Sequence, residues 1–331
     1  MRPVTPAALL RQAGSAVLLV TDLVNIRYLS GVAVSTGAML VTPRRFLLFV
    51  DDRYGHRAEQ TALPGVAVRD RDEIAQFLRG EPECGFEADK VSVARKSGWK
   101  RAYPRTKFVR TIGAVEAFRR QKDEGEIRLL KRAQRITKEI LRRIPAALRA
   151  DTTEERLARQ LQIWALELGA DGLSFDPIVA FGTNTGNPHH MPSSRALKKG
   201  HLVQVDVGAK VRGYCADMSR VFFTATPTPQ QQMVYEALLA TQRKATAAAK
   251  AGVTNHALDA IARKVLAANK LDGAFTHALG HGVGLDIHEG IVLSGKREKM
   301  PLLSGEVVTV EPGVYFAGKF GMRIEDMVFV E

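Results

Sequence analysis

Two stretches of alternating apolar and polar residues place acidic residues inside strands that the pattern predicts to be buried. Residues 202–224, LVQVDVGAKVRGYCADMSRVFFT, alternate on both sides of a turn, which predicts an antiparallel hairpin. If the turn is centred at Val211 and Arg212, Asp206 faces Asp217 across the strand pair. Like charges directly opposite each other destabilise a sheet, and an ionised carboxylate within an apolar strand is costly. A fold that buries this hairpin must therefore supply a counter-charge.

The C-terminal stretch repeats this arrangement. The segments GEVVTVEPGVYF and GMRIEDMVFV flank a turn near Gly318, and they place Glu311 and Glu325 at equal distances from it. Arg323 stands two residues before Glu325, so both side chains lie on the same face of their strand. One guanidinium cannot offset four carboxylates, whereas two divalent cations can, and carboxylate oxygens suit such hard ions. The four acids therefore predict a site for two divalent metal ions.

Three histidines lie in the glycine-spaced stretch HALGHGVGLDIHE, residues 277–289. His277 and His281 have the spacing of a helical zinc motif, but the glutamate of that motif is absent. Each glycine would also cost a helix interior about 1 kcal/mol, so the stretch predicts extended or turning backbone close to another group. His281 stands between two glycines that let the backbone approach, and it is the best-placed nitrogen ligand. His277 and His288 are then available for proton transfer and oxyanion stabilisation.

The rest of the pattern predicts two α/β regions. From Ser15 to about Glu116, short apolar runs such as FLLFV alternate with polar stretches compatible with helices, which predicts an α/β domain in residues 1–116. A polar stretch without apolar periodicity predicts a linker at 117–123. Residues 124–331 combine long helical patterns with hairpins, so they predict an α+β domain.

Four long helices are predicted in the second domain from periodicity and from their start and stop signals. The first is an amphipathic run from Asp123 to Ile144, and the second opens with Asp151 as its N-cap. The third has Pro229 near its start and Gly252 after its end. The fourth begins at Asn255 or His256 and ends near Asn269.

Charge and cysteine content limit the partners and the compartment. The net charge is +13, yet residues 90–149 alone hold 19 Lys plus Arg against 5 Asp plus Glu. Without an aromatic platform or a recognised binding motif, this segment is best explained as a solvated basic helix face, and a nucleic acid partner is not favoured. Two widely separated cysteines, an N-terminus without an apolar signal region and no membrane-spanning run predict a cytoplasmic location.

Six motifs, taken together in order and spacing, resemble those of the pita-bread metallopeptidases. They are PHH at residues 188–190, VDVGA at 205–209, ADMSR at 216–220, HALGHGVGLDIHE at 277–289, VEPGVY at 310–315 and RIEDMV at 323–328. In the first half, TDLVNIRYLSG and VDDRY are similar to the N-terminal domain of the creatinase, prolidase and aminopeptidase P branch. The resemblance implies a creatinase/prolidase-type N-terminal domain followed by a pita-bread catalytic domain, in a homodimer.

The resemblance also implies a role for each motif residue. Two metal ions, Mn2+ in preference to Co2+ or Zn2+, would be held by Asp206, Asp217, His281, Glu311 and Glu325. A metal-bridging water would be the nucleophile, with Glu311 as the general base. His189 would contact the substrate near the scissile bond, and His277 and His288 would stabilise the intermediate and relay protons. Arg323 would orient the carboxylates.

The implied reaction is hydrolysis of the bond between an N-terminal residue and proline. A proline nitrogen has no N–H and its ring fixes φ, so a dedicated site is needed for such bonds. An Xaa-Pro dipeptidase (prolidase) is favoured. An Xaa-Pro aminopeptidase acting on longer peptides is the alternative, because Gly290 and Ile291 depart from the usual sequence after the His-Glu pair. A metal-free creatinase-like hydrolase would have broken ligands, and a non-catalytic binding module would have lost Glu311 or a histidine.

Overall fold

The computed structural model describes residues 4–331, and these divide into two compact units. One unit ends at Arg119 and the other begins at Arg120. The division falls within the segment predicted as a linker, residues 117–123. That segment is partly helical, because α6 covers Glu116–Arg120 and the side chain of Arg119 is buried.

The N-terminal unit is built on one six-stranded sheet. Its strands are β1 (Leu18–Val20), β2 (Ala38–Val41), β3 (Phe46–Val50), β4 (Val66–Asp70), β5 (Glu83–Glu87) and β6 (Lys107–Thr111). Its other helices are α1 (Pro6–Ala13), α2 (Leu23–Ser30), α3 (Asp52–Thr61), α4 (Ile74–Leu78) and α5 (Val93–Ala102). The strand order is β4-β3-β2-β1-β5-β6, and β2 runs antiparallel to both of its neighbours while the remaining pairs are parallel. The predicted α/β class is confirmed for this unit.

The apolar runs of this unit are continuous because both faces of the sheet are covered. Leu18 and Val20 pack in one apolar cluster, whereas Leu19 between them packs in another. All five residues of β3 are buried for the same reason.

A buried amide, Asn25, ties several elements of this unit together. Its Nδ2 donates to Glu87 Oε1 at 2.7 Å and to Glu116 Oε1 at 2.8 Å. Its Oδ1 accepts a hydrogen bond from Arg119 Nη1 at 2.8 Å. Burial is the main reason that the pKa of Glu87 is raised, although three hydrogen-bond donors oppose the shift. Asn25 therefore has an evident structural role in the packing of this unit.

The second unit contains four long helices and twelve short strands. The helices are α7 (Glu124–Ala147), α8 (Glu154–Glu167), α9 (Pro229–Ala248) and α10 (Asn255–Ala268). The strands are β7 (Gly172–Leu173), β8 (Ile178–Phe181), β9 (Leu202–Val207), β10 (Ala209–Val211), β11 (Tyr214–Cys215), β12 (Met218–Phe223), β13 (Gly280–His281), β14 (Val292–Leu293), β15 (Val307–Val310), β16 (Gly313–Phe316), β17 (Phe320–Arg323) and β18 (Asp326–Phe329). All four helices lie where the sequence predicted them.

The N-cap residue that the sequence predicted for α8 is wrong. Helix α7 begins as expected, with Asp123 as N-cap and Glu126 closing a capping box. Helix α8 is capped by Thr153, whose side chain accepts from the backbone N–H of Arg156, and not by Asp151. Thr153 is the residue directly before the first helical turn, which is where a hydroxyl can reach the unpaired N–H groups.

The first hairpin forms, but its register differs from the expected one. Asp206 lies opposite Ser219 and not opposite Asp217, because the turn is centred one residue later than predicted. Arg212 and Gly213 both have positive φ, 46° and 80°, so they form the two-residue turn that suits a right-handed hairpin twist. Glycine at the second turn position sets this register. Asp217 is therefore a diagonal neighbour of Asp206, on the same side of the hairpin.

The second hairpin has the expected register. Val310 pairs with Asp326, and Gly313 pairs with Arg323. Glu311 lies between β15 and β16, and Glu325 lies between β17 and β18, at equal distances from the turn.

The basic residues of α7 that the sequence assigned to a solvated face are exposed, except for Arg143, which is partly buried. Arg135 and Lys138 face solvent, and Arg142 pairs with Glu139 at 2.7 Å on the same helix. Within residues 4–331, no helix has both the length and the apolar character that crossing a membrane requires.

Candidate metal centre

One cavity of about 840 Å³ brings the predicted site residues together. Its lining includes all five predicted metal ligands and all of the residues predicted to act beside them. These are Asp206, Asp217, His281, Glu311 and Glu325, together with His189, His277, His288 and Arg323.

Backbone hydrogen bonds between the strand pairs create this cluster from distant parts of the chain. The N–H of Glu325 donates to Ser219 O at 3.2 Å, and the N–H of Glu311 donates to Leu279 O at 2.8 Å. Gly280 is needed at the second contact, because a Cβ there would overlap the carbonyl oxygen of Thr309. The glycine before His281 is thus explained by close backbone approach to β15.

The centre of the cluster is an imidazole facing carboxylates. Single ligand atoms of Asp217, His281 and Glu325 lie within 4.8 Å of one another. His281 Nε2 is 3.5 Å from Asp217 Oδ2 and 3.6 Å from Glu311 Oε1. These separations are too long for good hydrogen bonds and leave space between the groups.

The tautomer of His281 follows from its surroundings. Its Nδ1 is 3.0 Å from the carbonyl oxygen of Gly282, which can only accept, so Nδ1 carries the proton. Nε2 of the neutral ring then directs its lone pair towards the carboxylates. A metal-ligating histidine has this arrangement, with the other N–H donated to a backbone carbonyl.

Several buried carboxylate oxygens of the cluster have no hydrogen-bond partner. Among the described residues these are Asp206 Oδ1, Asp217 Oδ1 and Glu325 Oε1. Buried polar atoms are almost always paired, and an unpaired ionised oxygen is especially costly. Three unpaired oxygens within one cluster, with an imidazole lone pair directed at it, fit the binding of divalent cations.

Without bound cations the carboxylates of the cluster cannot all remain ionised. Burial and repulsion from Asp206 raise the pKa of Asp217 to about 6. Burial raises the pKa of Glu311 to about 7 and that of Glu325 well above its usual range. Burial lowers the pKa of His281, but the neighbouring Asp217 and Glu311 outweigh it, and the net shift is upward. In the absence of metal, protons therefore take the place of the missing positive charge.

Arg323 links this cluster to a second group of side chains. Its Nη2 donates to Asp206 Oδ2 at 2.6 Å and its Nη1 donates to Tyr315 Oη at 2.7 Å. Tyr315 Oη is in turn 3.1 Å from His277 Nε2. Because Nδ1 of His277 faces the carbonyl oxygen of Ala278 at 2.7 Å, Nε2 is the accepting nitrogen and the tyrosine donates to it.

The side chain of Tyr315 was not singled out from the sequence, although a signal was present. In the hairpin register predicted from the sequence, Gly321 stands directly opposite Tyr315. A Cβ at Gly321 would come within 2.6 Å of the Tyr315 ring. A glycine opposite an aromatic residue indicates a ring that lies across the partner strand.

The three other histidines with predicted roles have different environments. Burial lowers the pKa of His277 to about 4, so its ring is neutral at pH 7. Burial, assisted by the charge of His281, also lowers the pKa of His288, whose ring centroid is 4.1 Å from that of His281. His189 is exposed at the cavity lining.

The structure adds Glu154, the first residue of α8. Its buried carboxylate accepts hydrogen bonds from Phe181 N at 2.7 Å, Ser193 N at 2.9 Å and His190 Nε2 at 2.8 Å. His190 and its neighbours line the cavity, so Glu154 fixes the loop that carries His189. No sequence signal pointed to this role, because its partners lie 27 to 39 residues away.

Comparison with known proteins agrees with this geometry. Residues 128–331 match the model of metallopeptidase family M24, and residues 7–121 match that of the creatinase/prolidase N-terminal domain. The Xaa-Pro dipeptidase of Pyrococcus furiosus is 31% identical over 309 residues, which covers 93% of this chain and 88% of the relative.

Solved structures are similar over nearly the whole chain. The Xaa-Pro dipeptidase from Bacillus anthracis has a TM-score of 0.94 at 31% identity and covers 98% of this chain and 94% of its own. The X-Pro aminopeptidase from Thermotoga maritima has a TM-score of 0.89 at 32% identity. The match covers 98% of this chain and 95% of the aminopeptidase chain. The chain therefore belongs to metallopeptidase family M24, with a creatinase/prolidase N-terminal domain ahead of a pita-bread catalytic domain.

Proposed function

We propose that the protein hydrolyses the peptide bond between an N-terminal residue and proline, with Xaa-Pro dipeptides as its preferred substrates. The observation that carries this proposal is the buried cluster of four carboxylates and one imidazole, with three unpartnered oxygens, inside a substrate-sized cavity. The printed activities of relatives at about 30% identity support the same reaction.

Two divalent cations, Mn2+ in preference to Co2+ or Zn2+, would be held by Asp206, Asp217, His281, Glu311 and Glu325. Such ions polarise a carbonyl oxygen and make water a nucleophile at neutral pH. Glu311 faces the cavity and would accept the proton of the attacking water.

The other side chains hold protons and orient groups. Arg323 positions Asp206 by a 2.6 Å hydrogen bond and keeps the hydroxyl of Tyr315 directed at His277. His277 and His288 have lowered pKa values and would be neutral at pH 7, so they would stabilise the intermediate and relay protons as neutral rings. His189 is exposed at the lining and would contact the substrate near the scissile bond.

The shape and composition of the cavity suit a proline-containing substrate. Part of its lining is apolar and can contact the ring of proline, which presents no N–H to the protein. The apolar residues are Phe175, Pro177, Ile178, Met191, Ile287 and Val292. Arg297 also lines the cavity and is exposed, so it offers a partner to the free carboxylate of a dipeptide.

The alternative is an Xaa-Pro aminopeptidase that accepts longer peptides. The Thermotoga maritima structure carries that activity in its name, and it resembles this chain as closely in sequence as the dipeptidases do. Gly290, which departs from the usual sequence after the His-Glu pair, lines the cavity and is exposed.

The test is metal-dependent cleavage by the purified full chain. After chelation, the protein is assayed with Mn2+, Co2+ or Zn2+ on an Xaa-Pro dipeptide, an Xaa-Pro-Xaa tripeptide and the matching Xaa-Ala peptides. We expect cleavage of the Xaa-Pro dipeptide in preference to the tripeptide, no comparable cleavage of Xaa-Ala, and loss of activity in Glu311→Gln. Faster tripeptide cleavage would favour the aminopeptidase, and inactivity with every metal would reject the proposal.

The proposal also includes the oligomeric state and the cellular location of the protein. A homodimer and a cytoplasmic location accord with the resemblance and with two buried free cysteines. Light scattering after gel filtration tests the dimer directly.

A further inference from the structure

The loop that carries His288 is folded over a buried carboxylate. Glu289 donates its N–H to Gly282 O at 2.9 Å, and its Oε2 accepts from the N–H of Asp286 at 3.2 Å. A Cβ on Gly284 would overlap the same carboxylate. The second and third glycines of the histidine stretch are thus explained by the approach of Glu289 and not by a ligand.

A lysine from the start of the catalytic unit binds this carboxylate. Lys122 Nζ is 2.8 Å from Glu289 Oε1, and the two side chains are 2% and 3% exposed. Lys122 is itself fixed, since its N–H donates to Gly305 O at 2.9 Å and its Nζ donates to Arg120 O at 3.2 Å.

Arg120, two residues before Lys122, makes a second contact with the loop that carries His288. Arg120 packs over Gly290, whose φ of +68° and lack of a side chain allow this approach. The guanidinium of Arg120 is in turn fixed by Glu306, with Nε 2.5 Å from Oε1. Residues 120–122 therefore contact the loop on both Glu289 and Gly290, directly after His288.

We propose that Lys122 is a positioning residue for the reaction, and that through Glu289 it holds His288 against His281. The two imidazole centroids are 4.1 Å apart, and His288 remains partly exposed to solvent. Its own partial burial therefore fixes the ring less firmly than the backbone that carries it. Glu289 is the next residue along the chain, and its buried carboxylate cannot move without leaving Lys122.

Stability alone is a weak explanation for this pair. Replacing a buried ion pair with apolar residues of similar volume is often neutral or stabilising, whereas removing one partner leaves a costly unpaired charge. This difference separates a positioning role from a structural one.

The experiment compares two variants of the full chain, Lys122→Met and the double variant Lys122→Met/Glu289→Met. Lys122→Met should lower the melting temperature and reduce kcat about tenfold to a hundredfold, with KM and bound metal unchanged. The double variant removes both charges of this ion pair, so its melting temperature should rise towards that of the wild type while its kcat stays low. Recovery of kcat together with the melting temperature would overturn the proposal.

A second measurement does not depend on catalysis. Hydrogen exchange of the metal-free protein should be faster at residues 284–290 in both variants and unchanged in α9. Unchanged exchange in this loop would also overturn the proposal. The kcat readout rests on the proposed Xaa-Pro activity, whereas the exchange readout does not, so failure of one can be told from failure of the other.

Discussion

Replacing Asp217 with asparagine should have opposite effects on stability with and without metal. In the metal-free protein, burial and the neighbouring Asp206 raise the pKa of Asp217 from 3.8 to about 6. Because the folded-state pKa is raised, the favourable contribution of the protonated carboxyl is present below pH 4 and is lost as the pH rises through 6. The penalty at pH 8 is roughly 3 kcal/mol, since one pKa unit corresponds to about 1.4 kcal/mol.

Asparagine is similar in size and never carries that charge. At pH 8 with a chelator, Asp217→Asn should therefore melt roughly 6–12 °C above the wild type, for a unit of this size. Near pH 4 the difference should disappear, because both side chains are neutral. With metal at 1,000 times its Kd the order should reverse, since such a ligand stabilises the wild type by about 4.1 kcal/mol, which exceeds the penalty of roughly 3 kcal/mol, and the variant loses this gain.

Circular dichroism melts at pH 4 and pH 8, with chelator or with Mn2+, measure all four conditions. Asp259→Asn is the matched control, because Asp259 is also buried in the catalytic unit but is paired with Arg263 at 2.9 Å. The control should be destabilised with and without metal. If Asp217→Asn behaves like the control at pH 8 in chelator, the explanation of the cluster as mutually repelling charges is wrong.

Three further predictions follow from single side chains. Arg323→Gln frees Asp206 and should weaken metal binding about tenfold to a hundredfold by calorimetry, with no such loss in Ser35→Ala of the N-terminal unit. Glu154→Gln loosens the loop that carries His189 and should raise KM more than it lowers kcat; equal effects on both would contradict a substrate-positioning role. Asn25→Ala removes the buried hydrogen bonds of Asn25 to Glu87 and Arg119 and should destabilise the N-terminal unit by about 1–3 kcal/mol in denaturant melts, with metal binding unchanged.

The local pattern of apolar, polar and turn residues was sufficient to predict most of the secondary structure. Period-2 alternation and the turn near Gly318 predicted the register of the second hairpin, because register is fixed once a turn and a buried face are known. The first hairpin was predicted one turn position too early, because the positive φ of Gly213 was given less weight than symmetry about Val211. The centres of the four long helices were predicted from apolar periodicity, whereas the cap of α8 required knowing which residue starts the helix.

The candidate metal ligands could also be predicted from the sequence, for an electrostatic reason. Acids placed in apolar strands must have a counter-charge wherever they fold, so Asp206, Asp217, Glu311 and Glu325 indicate a cation site before any contact is known. Their order and spacing then match a known family.

The groups that support those ligands could be identified only in the folded protein. Lys122 and Glu289 are 167 residues apart in the chain, and Glu154 binds groups 27 to 39 residues away. Side chains of these types usually lie in solvent, so neither periodicity nor local charge distinguishes them. Sequence determines which residues must be buried and which of them repel one another, whereas only packing decides which distant donor reaches each buried acceptor.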